Sequence, residues 1–213
     1  MHPSAQRAMR SCIDEFMPAG QHYKVVDFGS KVAAGHSTHR DLLADRDCTI
    51  LGVDILEGPN VDLVMKKPYT LPVASNSADV VMSGQVLEHV PFFLTSILEL
   101  HRILRPGGLL MITVPSRGHR HNVYDCWRFY PDSMRAIAAF GAFTLESAGT
   151  DLPPKNERGR YDYANAKSYW GDTYGVFRKT AKTPLKLAVA REAMKAWSNS
   201  VGDLENHPLP LTR

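Results

Sequence analysis

Cysteine is scarce: three in 213 residues, at Cys12, Cys48 and Cys126, with no CxxC spacing. An odd, scattered set builds neither a disulfide framework nor a thiolate zinc cluster, and it fits a reducing cytoplasm. Long apolar runs are missing too. No stretch approaches the roughly 20 residues that cross a bilayer, and the polar first ten residues lack a signal-peptide core. Nor does charge of one sign dominate: 25 Lys and Arg face 22 Asp and Glu, a net +3. That balance is too mild to announce a nucleic-acid partner. Residues 155–195 hold ten cations against four acids, but scattered rather than in one run, which reads as a solvated surface. No basic-aromatic stacking module accompanies them, so nucleic acid is not expected.

What the chain does have is alternation. Short apolar segments at about 23–28, 49–53, 61–65, 78–82 and 109–114 read as strands, and 143–148 and 174–178 as two more. Helical periodicity marks 3–17, 37–44, 87–104, 132–140 and 185–197, with Pro91 in an early turn of the third and Arg105-Pro-Gly-Gly108 ending it. Strands alternating with helices over 23–114 predict an α/β fold with a parallel sheet and right-handed crossovers, in three layers. Residues 1–180 read as one domain with a leading helix, and 181–213 as a C-terminal helix with a loosely ordered tail. In the last helix, Leu185, Val189, Met194 and Trp197 are the candidate contacts.

Two strands stop at an acid, Asp27 and Asp54. Carboxylates at the C-terminal edges of neighbouring parallel strands would face one crevice, where open α/β sheets bind ligands. The blander alternative makes Asp27 a cap and Asp54 a turn residue. Gly29 permits close approach of backbone to a ligand. The glycine alternation is then broken by Lys31 and Ala33 before Gly35, which serves a dinucleotide pyrophosphate badly and argues against NAD.

Five segments in order resemble class I S-adenosylmethionine-dependent methyltransferases, of the methyltransferase 11 type. They are Val25-Val-Asp-Phe-Gly-Ser30, Leu51-Gly-Val-Asp54, Leu71-Pro-Val with Ser77-Ala-Asp-Val-Val-Met-Ser83, Val86-Leu-Glu-His-Val90, and Leu104-Arg-Pro-Gly-Gly-Leu-Leu-Met-Ile-Thr113. Gly58-Pro-Asn-Val-Asp-Leu-Val64 and Asp125-Cys-Trp-Arg-Phe-Tyr-Pro-Asp132 narrow the likeness to a bacterial branch often linked to glycan or natural-product assembly. The resemblance implies a Rossmann-like, mostly parallel seven-stranded sheet with an antiparallel last strand, and S-adenosyl-L-methionine as cofactor. It places Asp27 and Gly29 by the amino-acid part of that cofactor, Asp54 on its ribose, Ile55 on its adenine, and Ser83 and Gly84 by its methionine moiety, and it counts Ser30 and Tyr69 among the cofactor contacts. Lys66 and Lys67 stand where the family commonly has an acid for the adenine amino group, leaving recognition to backbone groups near residues 68–71.

A hydroxyl acceptor must lose its proton as it attacks, and His89, Tyr124 and Asp125 are the candidates to assist. His119, His121 and Arg128, in the loop after the fifth strand, are candidate acceptor contacts. Trp127 and Phe129 read as packing anchors. His119, His121 and Asp125 also form a metal-like set, but HxH beside an acid arises readily by chance, and no metal is expected. The sequence therefore predicts a cytoplasmic methyltransferase acting on a hydroxyl of a small molecule or glycan precursor. An inactive cofactor-binding partner or regulatory protein is the alternative. It leaves the acceptor and the oligomeric state open, a homodimer included.

Overall fold

Along each strand the apolar side chains alternate, and the alternation sorts them onto two faces of one sheet. The computed structural model describes residues 3–32, 37–121, 124–163, 170–180, 183–202 and 204. In chain order the elements are α1 (Pro3–Phe16), β1 (Tyr23–Phe28), α2 (His39–Leu42), β2 (Cys48–Asp54), β3 (Leu63–Val64), β4 (Ala78–Gly84), a 3₁₀ turn (Leu87–His89), α3 (Phe93–Ile103), β5 (Leu104–Arg117), α4 (Pro131–Gly141), β6 (Phe143–Thr150), β7 (Gly171–Lys179) and α5 (Leu185–Val201). The sheet runs β3-β2-β1-β4-β5-β7-β6. β3 through β5 are parallel, and β7 lies antiparallel between β5 and β6. This is the expected three-layer α/β sheet with an antiparallel last strand.

Val25, Val80, Met82, Leu109, Met111 and Val176 face one way and pack with Met9, Cys12 and Ile13 of α1 and with Leu43. Val26, Phe28, Val81, Leu110, Ile112 and Phe177 face the other way and pack with Ile97, Leu100 and Ile103 of α3 and Met134 and Ile137 of α4. The near-continuous apolar runs of β4 and β5 follow from this two-sided burial.

Three local expectations are corrected. The helix expected over 87–104 begins only at Phe93, because Pro91 holds Val90 extended (φ −100°, ψ 106°) and a separate 3₁₀ turn carries Leu87, Glu88 and His89. The strand expected from Leu109 begins at Leu104, directly after α3 ends at Ile103, so Arg105-Pro-Gly-Gly108 belongs to β5. In α5, Leu185, Val189 and Trp197 are exposed rather than packed. That helix docks through polar groups instead: the Ser198 hydroxyl lies 2.8 Å from that of Thr95, and Asn199 accepts from the Tyr69 amide at 3.2 Å and donates to the Thr70 hydroxyl at 3.1 Å. Of the expected tail, only Gly202 and Leu204 are among the described residues. Among those residues no helix is long and apolar enough to cross a membrane.

Candidate active site

At the C-terminal edge of β1, β2 and β4 lies a cavity of about 410 Å³, lined mostly by apolar side chains, within the range of small-ligand sites. Gly29 forms part of its floor. At φ +80° it turns the chain out of β1, and a Cβ there would meet Val86 Cγ2 at 2.2 Å. Only glycine lets Val86 close over the end of β1. Asp54, the last residue of β2, stands at one end of the cavity, with Ile55 and Leu56 beside it. Its carboxylate accepts the Lys31 and Leu56 amides, each at 3.0 Å. An ionised carboxylate has about four acceptor directions, so two remain for a ligand. Met65, Pro68, Tyr69, His89, Val90, Pro91 and Tyr124 complete the lining, with Gly202 from the end of α5.

The expected cofactor residues divide. Gly29, Asp54, Ile55 and Tyr69 line this cavity. Asp27 does not. It pairs with Gly52 and Met82 inside the sheet, deeper than Asp54, and its side chain turns to the α1/α2 face. There Oδ1 lies 2.7 Å from Nδ1 of buried His39. α2, held by a capping box between Thr38 and Asp41, delivers that histidine. Ser30 is buried beneath the turn, with its amide on the Val53 carbonyl at 3.2 Å. Ser83 is fully buried, and neither it nor Gly84 is in the lining. Gly35 and Ala33 fall outside the described residues. The backbone donors near residues 68–71 are engaged: Tyr69 N–H by Asn199, and Leu71 N–H by buried Glu99 at 3.1 Å.

Also in the lining, the His89 Nδ1–H donates to the Tyr124 carbonyl, leaving Nε2 as the acceptor nitrogen. His89 and Tyr124 are thus brought to the cavity together. Asp125 is fully engaged. Its carboxylate takes both guanidinium nitrogens of Arg128, one at 2.6 Å, and the His121 amide at 2.8 Å. The Arg128 guanidinium holds it well below the usual carboxylate range, which leaves Asp125 a weak base and Arg128 committed to an internal partner. Arg128 also stacks on Trp170 and donates to the His119 carbonyl at 3.0 Å. His119 itself is exposed, edge-on to Trp170. His121 packs against both His89 and Trp170 with ring centroids 4.9 Å away, and burial lowers its pKa. Phe129 is core, and the Trp127 indole donates to the Val90 carbonyl at 3.0 Å.

Sequence reasoning passed over Glu88. The 3₁₀ turn buries its side chain completely, with no hydrogen-bond partner for either carboxylate oxygen. Burial, reinforced by Asp125 and Asp172, pushes its pKa up to about 8. Its signal was an acid four residues past the buried strand β4, within an apolar Val86-Leu87 context.

Comparison with known proteins bears on the fold. Residues 30–112 match the family described as Methyltransferase domain. A probable S-adenosylmethionine-dependent methyltransferase of Mycolicibacterium smegmatis is 31% identical over 96 residues, covering 41% of this chain and 37% of that protein. A demethylmenaquinone methyltransferase of Oceanobacillus iheyensis is 27% identical over 124 residues, covering 52% of each. The chain thus spans about half the length, or less, of these curated relatives. Among solved structures, a Burkholderia thailandensis 1,6-didemethyltoxoflavin-N1-methyltransferase aligns with a TM-score of 0.59 at 18% identity, over 83% of this chain and 79% of that one. A putative methyltransferase of Bacillus halodurans aligns at 0.56 and 14% identity, over 84% and 100%. Residues 30–112 thus match a methyltransferase domain, and the sheet order gives the chain the Rossmann-like fold of its methyltransferase neighbours.

Proposed function

We propose that the chain binds S-adenosyl-L-methionine in the cavity at the β1/β2/β4 edge and transfers its methyl group to a hydroxyl of a small molecule or glycan precursor. The observation that carries this reading is the Asp54 carboxylate at one end of an apolar cavity, with two acceptor directions left open. A ribose diol fits that end. Ile55 and Tyr69 flank the neighbouring apolar space for an adenine, and the Gly29 turn brings backbone close to the ligand. The residues present therefore fit the cofactor, with Asp54 rather than Asp27 as the anionic anchor.

The cofactor supplies a sulfonium-activated methyl group, so the protein's share is orientation and proton management. His89 and Tyr124 line the same cavity as Asp54 and are the groups we assign to the acceptor. Of the three residues expected to assist the acceptor, His89 has the geometry for it. Its Nδ1 proton is fixed on a carbonyl, and Nε2 is left for the acceptor side.

Calorimetric titration with S-adenosylhomocysteine tests the reading. Binding weakens ten- to a hundredfold in Asp54→Ala, as loss of two charge-assisted hydrogen bonds requires, and NAD gives no heat. Unchanged affinity in that variant overturns the assignment. A cofactor-consumption screen over sugar nucleotides, phenols, acids and amines then identifies the acceptor class.

A further inference from the structure

Beside the cavity sits a cluster of which the methyl-transfer reading uses only His89. Glu88, His89 and His121 each offer one ligand atom, and these atoms all lie within 4.8 Å of one another. We propose that these three side chains bind a single divalent cation of the Zn²⁺ or Fe²⁺ type. Two imidazoles and one carboxylate with open positions suit those ions.

Three independent features support a built site rather than a chance gathering. First, the Glu88 carboxylate is wholly buried with neither oxygen hydrogen-bonded, and Oε1 lies 3.6 Å from Nε2 of His89. A buried carboxylate without a partner is costly to fold around, and a cation would offset that cost. Secondly, both imidazoles are oriented as metal-bound histidines are, the Nδ1 of each held by an oxygen. His89 donates to the Tyr124 carbonyl, and His121 Nδ1 lies 3.2 Å from Asp125 Oδ2. Thirdly, Arg128 clamps Asp125 on two nitrogens, fixing the carboxylate that orients His121.

Ligand atoms about 2.1 Å from one tetrahedral centre stand roughly 3.4 Å apart, so binding asks for a closure of about 1 Å in one side chain. Binding of the ion stands on this geometry alone. Its use in catalysis rests on the methyl-transfer reading, in which an ion at His89 would acidify an acceptor hydroxyl. His89 then acts on the acceptor through the ion rather than as a free base.

Titrating the EDTA-stripped full chain with Zn²⁺, by calorimetry and by thermal shift, tests the site. Wild type takes up one Zn²⁺ per chain and its melting temperature rises. Glu88→Gln and His121→Ala each bind at least a hundredfold more weakly. Asp125→Asn, which alters only the orienting partner, loses ten- to a hundredfold, while His22→Ala, far along the chain, matches wild type. Co²⁺ in place of Zn²⁺ gives visible absorption bands in wild type that are lost in Glu88→Gln. His121→Ala guards against a folding defect at buried position 88, and S-adenosylhomocysteine affinity is read on every variant. Absence of stoichiometric uptake by wild type, or wild-type affinity in both Glu88→Gln and His121→Ala, overturns the site. Loss of cofactor binding in wild type would overturn the methyl-transfer reading and leave the metal site standing.

Discussion

Asp27 Oδ1 lies 2.7 Å from His39 Nδ1, and both side chains are buried on the α1/α2 face of the sheet. The acid closing the first motif is thus a bracket between β1 and α2, not a wall of the cavity. Removing one member of a buried polar pair leaves the other unsatisfied. Asp27→Ala is therefore expected to cost about 2–4 kcal/mol in urea unfolding. A cycle with His39→Leu should give a coupling energy of about 1–3 kcal/mol. Additive effects would mean that the two groups do not interact.

Gly29 is expected to tolerate no side chain. In Gly29→Ala the new methyl group would overlap Val86 at φ +80°, adding left-handed strain of about 1–2 kcal/mol to a clash that moves the cavity floor. S-adenosylhomocysteine affinity should fall at least tenfold. Val86→Ala in the same chain should recover part of that loss by relieving the contact, though not the backbone strain. No recovery would show that Val86 is not the obstacle.

How much of this was legible in the sequence follows from what each signal encodes. The short apolar segments at 23–28 and 78–82 report burial, so the strands could be read. Asp54 ends its strand in both views. Asp27 takes the α1/α2 face because parity along the strand, not nearness to its end, decides which face a side chain takes. Val25 and Asp27 share the face on which His39 arrives from a distant segment. Glu88 went unread for a similar reason. Pro91 splits one helical pattern into a 3₁₀ turn and a helix, and only that split turns the carboxylate inward beside His121. The Asp125–Arg128 pair is spaced by three residues, a local signal overlooked in favour of an external anion.

Lys179 closes the other end of the sheet. Its ammonium donates to Asn76 Oδ1 at 2.8 Å and to the carbonyls of His101 at 2.8 Å and Leu104 at 2.7 Å, capping α3 from β7. Burial pushes its pKa down to about 8, and the three acceptors keep it charged at neutral pH. Lys179→Met fills the same space and leaves three acceptors stranded, for an expected loss of about 2–4 kcal/mol. Guanidinium unfolding measures it, and a loss below about 0.5 kcal/mol would mean that water replaces the cap.

Acid should destabilise the fold through His101. Its imidazole is 1% exposed, with no partner for Nε2, and stands edge-on to Phe143 at 5.0 Å. Burial, then the charges of Lys179 and Arg191, hold its pKa down to about 4, against 6.5 for a free imidazole. Between those values the unfolded chain binds more protons than the folded one, so stability falls as pH drops through the window. The loss approaches about 3 kcal/mol at pH 4, at 1.36 kcal/mol per pH unit. His101→Leu keeps the packing against Phe143 and removes the titration. Its stability relative to wild type should therefore rise steadily from pH 7 to pH 4.5 in urea unfolding. Parallel curves for the two proteins across that range would mean that His101 takes up its proton without unfolding, through an opening between α3 and the β6 edge that lets water reach the ring.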